Sequence, residues 1–252
     1  MPVSPINNSI GNPLIEIDTT PSTNNYAMEL VHNGLAQHGQ AVFAYEQTAG
    51  KGQRGRLWYS SRKENIILSV ILNTSGLQVS GRFLLSMAAA LAVHDFFSNY
   101  AGDESSVKWP NDLYWRDRKA GGILIENVIA GMEWQWAVAG IGININQTSF
   151  APEVRNAVSL RQITGKTFNP AELAKELCAC FEKRYRQLLN EQSKTTVDAY
   201  NNVLYKKGQL ITLKKNSAVF NCTVKGVNAY GQLITVAATE QLFEVGEVQW
   251  IM

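Results

Sequence analysis

Apolar residues along the chain fall into two kinds of run, one with the length and spacing of strands and one with those of helices. Short apolar runs predict strands at 14–17, 41–46, 65–73, 106–109, 113–115, 123–129 and 134–145. Longer amphipathic or alanine-rich runs predict helices at about 22–32, 80–100, 169–188 and 195–204. Ala130-Gly131 separates two adjacent strands as a hairpin turn would. The pattern therefore predicts an α+β fold, a mixed β-sheet flanked by helices.

The pattern changes after residue 204 to short strands alone. These strands are predicted at 209–213, 218–227, 232–236 and 241–244, with glycine and asparagine between them. Such spacing is typical of a small β-barrel. A piece of about 48 residues builds little core by itself, so we expect it to pack on the larger part. The predicted domains are residues 1–204 and 205–252.

Composition changes this picture little. The chain is 45% hydrophobic and 17% charged, with a net charge of +2, which gives no general attraction to nucleic acid or to an anionic membrane. The first residues lack the apolar core of a signal peptide, and the longest apolar stretch, 83–93, is too short to cross a bilayer. We expect a cytoplasmic protein with no membrane partner.

Cysteine and histidine do not suggest a disulfide framework or a zinc site. The three cysteines are odd in number, and we interpret all of them as structural thiols. The three histidines are scattered, with no cysteine or carboxylate at ligand spacing.

The segment 47–56, which we call the cradle loop, carries three glycines and three cations directly after an apolar strand. Backbone N–H groups and fixed positive charge in such a loop suit a phosphate or a carboxylate. A Walker loop does not fit, because no glycine here precedes Lys and then Ser or Thr in that register. A dinucleotide fingerprint does not fit either, since no acid lies between Glu64 and Asp95. The sequence predicts an anion cradle, and a flexible basic surface loop is the alternative.

Two further segments carry candidate chemistry. Lys119 lies between a polar turn and the pair Gly121-Gly122, where its ammonium could reach over small residues to a phosphate; a solvated turn lysine is the alternative. Asp112 could bind Mg²⁺ or pair with a cation of the cradle loop, and Asn111 could fix its orientation. A simple Pro-Asn-Asp turn is the competing interpretation of that segment.

Five segments in fixed order carry a family resemblance. They are Pro21-Ser-Thr-Asn24, the cradle loop, Lys108-Trp-Pro-Asn-Asp112, Arg118-Lys-Ala-Gly-Gly122 with the strand after it, and Gly140-Ile-Gly-Ile-Asn144. Together they resemble the biotin protein ligases, over about residues 13 to 252. The resemblance implies a mixed-sheet catalytic domain with a carboxy-terminal SH3-like barrel. It implies ATP and biotin as substrates, Mg²⁺, and transfer of biotin to a biotin carboxyl carrier protein of acetyl-CoA carboxylase or a related carboxylase.

The resemblance also implies roles for individual residues. Biotin would be bound by Ser22, Thr23, Asn24, Gln47, Gly50, Lys51, Gly52, Gln53, Lys119 and Gly122. ATP would be bound by Lys51, Gln53, Arg54, Arg56, Asn111, Lys119, Gly142 and Asn144. The catalytic residues would be Lys119, Asp112 and Arg54. The family usually has arginine where this chain has Lys51 and Gln53, so the anion contacts differ in number and geometry.

Two rival functions stay open on the sequence. A lipoate or octanoate ligase shares the catalytic architecture, although the segment 108–112 and the terminal barrel favour biotin. A non-catalytic nucleic-acid-binding protein would use the basic loop and the barrel, against which the low net charge counts. Only about a dozen residues precede the first predicted strand, which leaves no room for a helix-turn-helix domain. We therefore expect a monofunctional type with no specific DNA partner.

Overall fold

The structure, a computed structural model, describes residues 8–151, 154, 156–190 and 193–251. The strands are β1 Leu14–Thr20, β2 Ala41–Gln47, β3 Asn65–Asn73, β4 Ser105–Lys108, β5 Asp112–Trp115, β6 Arg118–Ala130, β7 Glu133–Asn144, β8 Leu210–Lys215, β9 Ala218–Val227, β10 Leu233–Val236, β11 Glu240–Phe243 and β12 Gln249–Ile251. The helices are α1 Thr23–His32, α2 Arg82–Ala101, α3 Leu160–Thr164, α4 Pro170–Asn190 and α5 Ser193–Asn202.

Seven strands form the larger sheet, in the order β1-β2-β3-β7-β6-β5-β4. The β1–β2 pair is parallel and the other neighbours are antiparallel, so the predicted mixed sheet is confirmed. Its central strand β3 is buried at every position but the last. A continuous apolar run of this kind is typical of a strand covered on both faces.

Helices cover both faces of this sheet. On one face, α1 packs through Ala27 and Val31 against Val42, Ile71 and Val138. On the other face, α2 contacts α4, α5 and strands β4 to β6. The helix α2 is buried around most of its circumference, which explains why its sequence is nearly all apolar. The α+β prediction is thus confirmed.

The carboxy-terminal strands form a separate five-stranded antiparallel sheet, in the order β11-β10-β9-β8-β12. Strand β12 and the short helix α3 were not expected from the sequence, because three and five residues are too few to show a period. The SH3-like barrel and the domain boundary at 204/205 stay predictions.

The two sheets share one hydrophobic core. Leu204, Ile211 and Leu233 belong to the same cluster of buried side chains as Phe43 and Phe96. Asn201 on α5 exchanges two hydrogen bonds with the backbone of Val227 on β9, at 2.9 and 2.7 Å. Trp109 Nε1 donates to the carbonyl of Gly231 at 2.9 Å. The smaller sheet is therefore held against the larger one by apolar packing and by specific polar contacts.

No helix in the described part of the chain is both long enough and apolar enough to span a membrane.

Candidate functional site

A cleft of about 680 Å³ opens on the α1 side of the larger sheet. It is lined by the start of α1, the cradle loop, the segment 108–112, parts of β6 and β7, and the segment 245–250 of the smaller sheet. The predicted site residues that line it are Ser22, Thr23, Asn24, Gln47, Lys51, Gly52, Gln53, Arg54, Arg56, Asn111, Asp112, Lys119, Gly122 and Gly142. Gly50 and Asn144 are outside this lining.

At one end of the cleft, the start of α1 forms a buried polar pocket. Ser22 is the N-cap of the helix, and its hydroxyl accepts from the backbone of Asn25. Gln47 Oε1 accepts from Thr23 N at 2.7 Å and from Thr23 Oγ1 at 3.0 Å. Ser69 Oγ lies 2.8 Å from Thr23 Oγ1 and 2.6 Å from Asn24 Oδ1. These contacts join the cradle loop, α1 and β3 in one network.

Asn24 is the most constrained member of this pocket. It is 3% exposed and lies over Gly140 on β7, where a Cβ atom would come within 2.2 Å of Asn24 Oδ1. Its Nδ2 donates to Glu126 Oε2 at 2.8 Å. Glu126 Oε1 lies 3.6 Å from Lys51 Nζ. The polar pocket is therefore connected through one carboxylate to a cation of the cradle loop.

The cradle loop is closed on itself by backbone hydrogen bonds. Gly52 N donates to Arg56 O at 2.7 Å, and Trp58 N donates to Gly50 O at 2.9 Å. The Trp58 ring rests on Gly142, where a Cβ atom would lie 2.4 Å from the ring. A Cβ on Gly50 would lie 2.4 Å from Trp58 O. Gly50 thus closes the loop instead of lining the cleft, and Gly142 makes room for the indole.

Arg54 reaches from the cradle loop to the smaller sheet. Its guanidinium donates to Gly246 O at 2.9 Å and to Val245 O at 3.1 Å. A Cβ atom on Gly246 would lie 1.4 Å from Arg54 Nη2, so this contact requires glycine there. In this arrangement the Arg54 guanidinium holds the loop against the segment that forms one wall of the cleft.

Lys119 and Asp112 form an ion pair on the sheet side of the cleft. Lys119 Nζ donates to Asp112 Oδ1 at 2.6 Å and lies 5.9 Å from the centre of the Trp58 ring. Gly122 lies beneath both, since a Cβ there would come within about 3.5 Å of each side chain. Gly122 therefore leaves room for this ion pair at the cleft, whereas Gly121 lies against Gly142 on β7.

Lys108 lines the cleft where the two sheets meet. It is 8% exposed, and its Nζ lies 4.8 Å from the centre of the Tyr114 ring and 5.4 Å from that of Trp250. Burial lowers the pKa of Lys108 to about 8, and the nearby Asp112 carboxylate opposes that shift. Aromatic faces partly replace the water that a lysine loses here.

Asn144 supports the site from outside the cleft. Its Nδ2 donates to Val158 O at 3.2 Å and to Lys119 O at 3.5 Å. Val158 N donates to Lys119 O at 2.9 Å. These contacts fix the backbone of Lys119 to the segment after β7. Binding of ATP by Asn144 stays a prediction.

Several residues at or beside the cleft were given no site role from the sequence. Trp58 and Lys108 line its wall, although Lys108 belongs to the family segment 108–112, and Lys214, Gln249 and Trp250 line it from the smaller sheet. Ser69 and Glu126 do not line the cleft and support it through the polar network. Ser69 carries a sequence signal, because it is a polar residue inside the apolar run 66–72, whereas Glu126 has the polar Asn127 beside it. The residues of the smaller sheet carry none, since only the packing of the two sheets brings them to the cleft.

The residues that could hold a metal are few. The carboxylates that line the cleft are Asp112 and Glu247, and Glu247 pairs with Lys215. Within the described ranges, no group of three or more His, Cys, Asp or Glu side chains could hold a metal ion. This donor set suits Mg²⁺ carried on substrate phosphates with at most one protein carboxylate, and it does not suit an all-protein cage.

These features define the class of protein. It is an α+β protein whose cleft joins a buried polar pocket to a cationic glycine-rich loop, an arrangement suited to a small molecule with a polar head and an anionic end. Residues 16–144 match the Biotin/lipoate A/B protein ligase family, and the chain belongs to that family.

Two relatives and one solved structure illustrate the similarity. The chain is 36% identical over 183 residues to the bifunctional ligase/repressor BirA of Bacillus spizizenii, a match that covers 71% of this chain and 56% of that protein. It is 30% identical over 222 residues to the biotin–[acetyl-CoA-carboxylase] ligase of Paracoccus denitrificans, covering 85% of this chain and 90% of that protein. A biotin protein ligase from Aquifex aeolicus, in complex with biotin and ATP, superposes with a TM-score of 0.80 at 22% identity, covering 94% of this chain and 98% of that one. The last similarity concerns the fold alone.

Proposed function

We propose that this protein activates biotin with ATP to give biotinyl-5′-AMP and then transfers biotin to a lysine of a biotin carboxyl carrier protein. One observation carries the proposal: a single cleft places a buried pocket of hydrogen-bonding groups beside the cradle loop and Lys119. A neutral urea needs paired donors and acceptors, whereas a carboxylate meeting a phosphate needs cations. Family membership and the names of the relatives support the same assignment.

In the first step, a carboxylate oxygen of biotin attacks the α-phosphorus of ATP. The bond from that phosphorus to the bridging oxygen breaks, and pyrophosphate leaves. Both reactants are anions, so the cations that line the cleft are needed before they can meet. Lys119 faces Asp112 at 2.6 Å and would be shared with the incoming phosphate. Lys51 and Arg56 line the same cleft.

In the second step, the unprotonated amine of the carrier lysine attacks the acyl carbon of the mixed anhydride. The bond from that carbon to the phosphate oxygen breaks, AMP leaves, and the extra proton of the amine passes to solvent. The chain's own task here is to retain the adenylate until the carrier arrives, and the closed cradle loop suits that task.

Mg²⁺ would enter on the phosphates of ATP, with Asp112 as the cleft carboxylate able to contact it. When bound, it would supply charge neutralisation on the phosphates. Asp112 now pairs with Lys119, so the two groups would exchange partners as the nucleotide enters.

We place the reaction in the cytosol. ATP is supplied there, and free thiols such as those of Cys178 and Cys222 stay reduced there.

Exchange of labelled pyrophosphate into ATP tests the proposal. We expect exchange that depends on biotin and is absent when lipoate or octanoate replaces it. Equal exchange with lipoate would assign the other substrate of the family, and no exchange with any of the three acids would overturn the activity. Incubation with a biotin carboxyl carrier protein should then label one lysine with biotin, and an acceptor variant with that lysine changed to arginine is the control.

A further inference from the structure

Glu126 lies at the junction between the polar pocket and the cradle loop. It is on β6, and its two carboxylate oxygens contact different elements: Oε2 accepts from Asn24 Nδ2 on α1 at 2.8 Å, and Oε1 lies 3.6 Å from Lys51 Nζ on the loop. No other carboxylate in the described part of the chain contacts the α1 pocket in this way.

The Asn24 side chain has two possible orientations, related by exchange of its oxygen and its nitrogen. On one side it meets Ser69 Oγ at 2.6 Å. A hydroxyl both donates and accepts, so Ser69 is compatible with either orientation. On the other side Asn24 meets Glu126, and an ionised carboxylate only accepts. Glu126 is therefore the group that turns Nδ2 toward β6 and Oδ1 toward Ser69.

Steric packing alone does not settle this orientation. Gly140 brings the backbone of β7 directly under the Asn24 amide, and the amide oxygen and nitrogen have nearly the same size. The direction must then come from hydrogen bonding, which again points to Glu126.

The contact with Lys51 is a secondary feature. At 3.6 Å, with the two side chains 43% and 31% exposed, this pair adds little stability. Its effect is to balance the carboxylate's charge beside a cleft that is to receive anions, so that Glu126 orients Asn24 without repelling the ligand.

We propose that Glu126 is a positioning residue for ligand binding: it fixes the orientation of the Asn24 amide and thereby the pattern of donors and acceptors that the α1 pocket presents. The inference rests on the proposed function only in the identity of the ligand, which would be the ureido ring of biotin. The orientation of Asn24 can be measured in the ligand-free protein.

The test is Glu126→Gln, which keeps the side-chain volume and replaces an acceptor-only group by one that also donates. Glu133→Gln, an exposed position on the neighbouring strand β7, is the matched control. In nitrogen–proton spectra of the ligand-free protein, the wild-type Asn24 side-chain amide should show a strongly hydrogen-bonded proton. That signature should be lost in Glu126→Gln and kept in Glu133→Gln, with unchanged thermal midpoints showing that both variants fold.

Calorimetric titration with biotin gives the second measurement. Because Glu126→Gln no longer fixes the Asn24 amide, it should bind biotin roughly tenfold more weakly, corresponding to about 1.4 kcal/mol. The adenylation rate at saturating biotin should change much less, because Glu126 touches neither reacting group.

An unchanged Asn24 resonance in Glu126→Gln, or equal weakening of biotin binding in Glu133→Gln, would overturn the positioning role. If the wild type bound no biotin, the proposed function would fail, while the Asn24 spectrum would still decide the role of Glu126.

Discussion

The ammonium of Lys119 is held 2.6 Å from Asp112 in the cleft where we propose that ATP binds. Lys119→Ala should reduce adenylation by roughly 10²- to 10³-fold, the scale for removing one preorganised electrostatic contact. The loss has two parts, since the variant lacks a cation and also leaves the Asp112 carboxylate unpaired beside an anionic substrate. Single-turnover formation of biotinyl-AMP measures the effect.

A second substitution separates the effect of the lost cation from that of the unpaired Asp112 carboxylate. Adding Asp112→Asn to Lys119→Ala removes the unpaired carboxylate, so nucleotide affinity measured without Mg²⁺ should recover while the rate of the chemical step stays low. Lys194→Ala on the exposed start of α5 is the control and should behave as wild type. Near-normal adenylation in Lys119→Ala would remove this lysine from the mechanism.

Because Lys108 is buried, we expect the free energy of unfolding to depend on pH. Burial lowers the pKa of Lys108 to about 8, whereas a lysine in the unfolded chain titrates near about 10.4. Between these values the unfolded chain binds more protons than the folded one, so the free energy of unfolding rises with pH, by up to about 1.4 kcal/mol per unit from this group. Below pH 7 the group is protonated in both states and contributes no slope.

Lys108→Met should remove this slope and Lys194→Met should keep it. Urea unfolding of the three proteins between pH 7 and 10 makes the comparison, with each variant referred to wild type at the same pH. Parallel curves for wild type and Lys108→Met would show that the aromatic rings around Lys108 compensate fully for its burial.

At the scale of elements, the fit between α1 and β7 depends on the absence of a side chain at Gly140. An alanine there would place its Cβ 2.2 Å from Asn24 Oδ1. Asn24 would have to leave Ser69 and Glu126, so Gly140→Ala should weaken biotin binding by roughly tenfold or more, at about 1 kcal/mol for each lost hydrogen bond.

Gly76→Ala is the matched control, because that glycine has no atom within 4 Å of the added Cβ and no positive φ. Calorimetric titration of both variants with biotin measures the difference in affinity. If the two variants bound biotin equally well, α1 would have shifted as a whole to accommodate the Cβ atom. The close contact between Gly140 and Asn24 would then have no role in biotin binding.

Some elements could be predicted from the sequence, and some contacts between elements could not. The strand β3 and the helices α1 and α4 were predictable because apolar runs and caps are local signals: Ser22 caps α1, and Asn169 Oδ1 accepts from Ala171 N at the start of α4. The glycines and cations of the cradle loop predicted an anion site; the loop does line the cleft, and anion binding there stays a prediction. The partner of the Arg54 guanidinium was not, because Val245 and Gly246 lie about 190 residues away in sequence and only the docking of the second sheet brings them near.

At the scale of the whole molecule, Arg54 connects the cradle loop to the smaller sheet. Gly246→Ala would place a Cβ 1.4 Å from Arg54 Nη2, so the guanidinium would be displaced from the turn. Hydrogen exchange of the amides in residues 50–58 should then accelerate by about tenfold, corresponding to about 1.4 kcal/mol of lost local stability. Arg54→Ala should have the same effect on the same amides.

Gly208→Ala is the control for backbone strain. Both glycines have positive φ, 82° at Gly246 and 76° at Gly208, but Gly208 has open space around the added Cβ. Both alanines should therefore lower the midpoint of thermal unfolding to a similar extent, and only Gly246→Ala should loosen the loop. Equal protection of residues 50–58 in wild type and Gly246→Ala would mean that the loop is held by its own backbone bonds.

The polar pocket at the start of α1 also has fewer hydrogen-bond donor protons than oxygen–oxygen contacts. Three oxygen–oxygen contacts connect Gln47, Thr23, Ser69 and Asn24, but only the hydroxyls of Thr23 and Ser69 supply protons to them. In every arrangement one contact lacks its proton, and Asn24 cannot make up the difference while its nitrogen faces Glu126. A ureido ring brings N–H donors and would fill the deficit, whereas the dithiolane ring of lipoate brings none and would bury an unsatisfied acceptor at a cost of about 1–3 kcal/mol. We therefore expect this deficit of one proton to favour biotin over lipoate in the polar pocket.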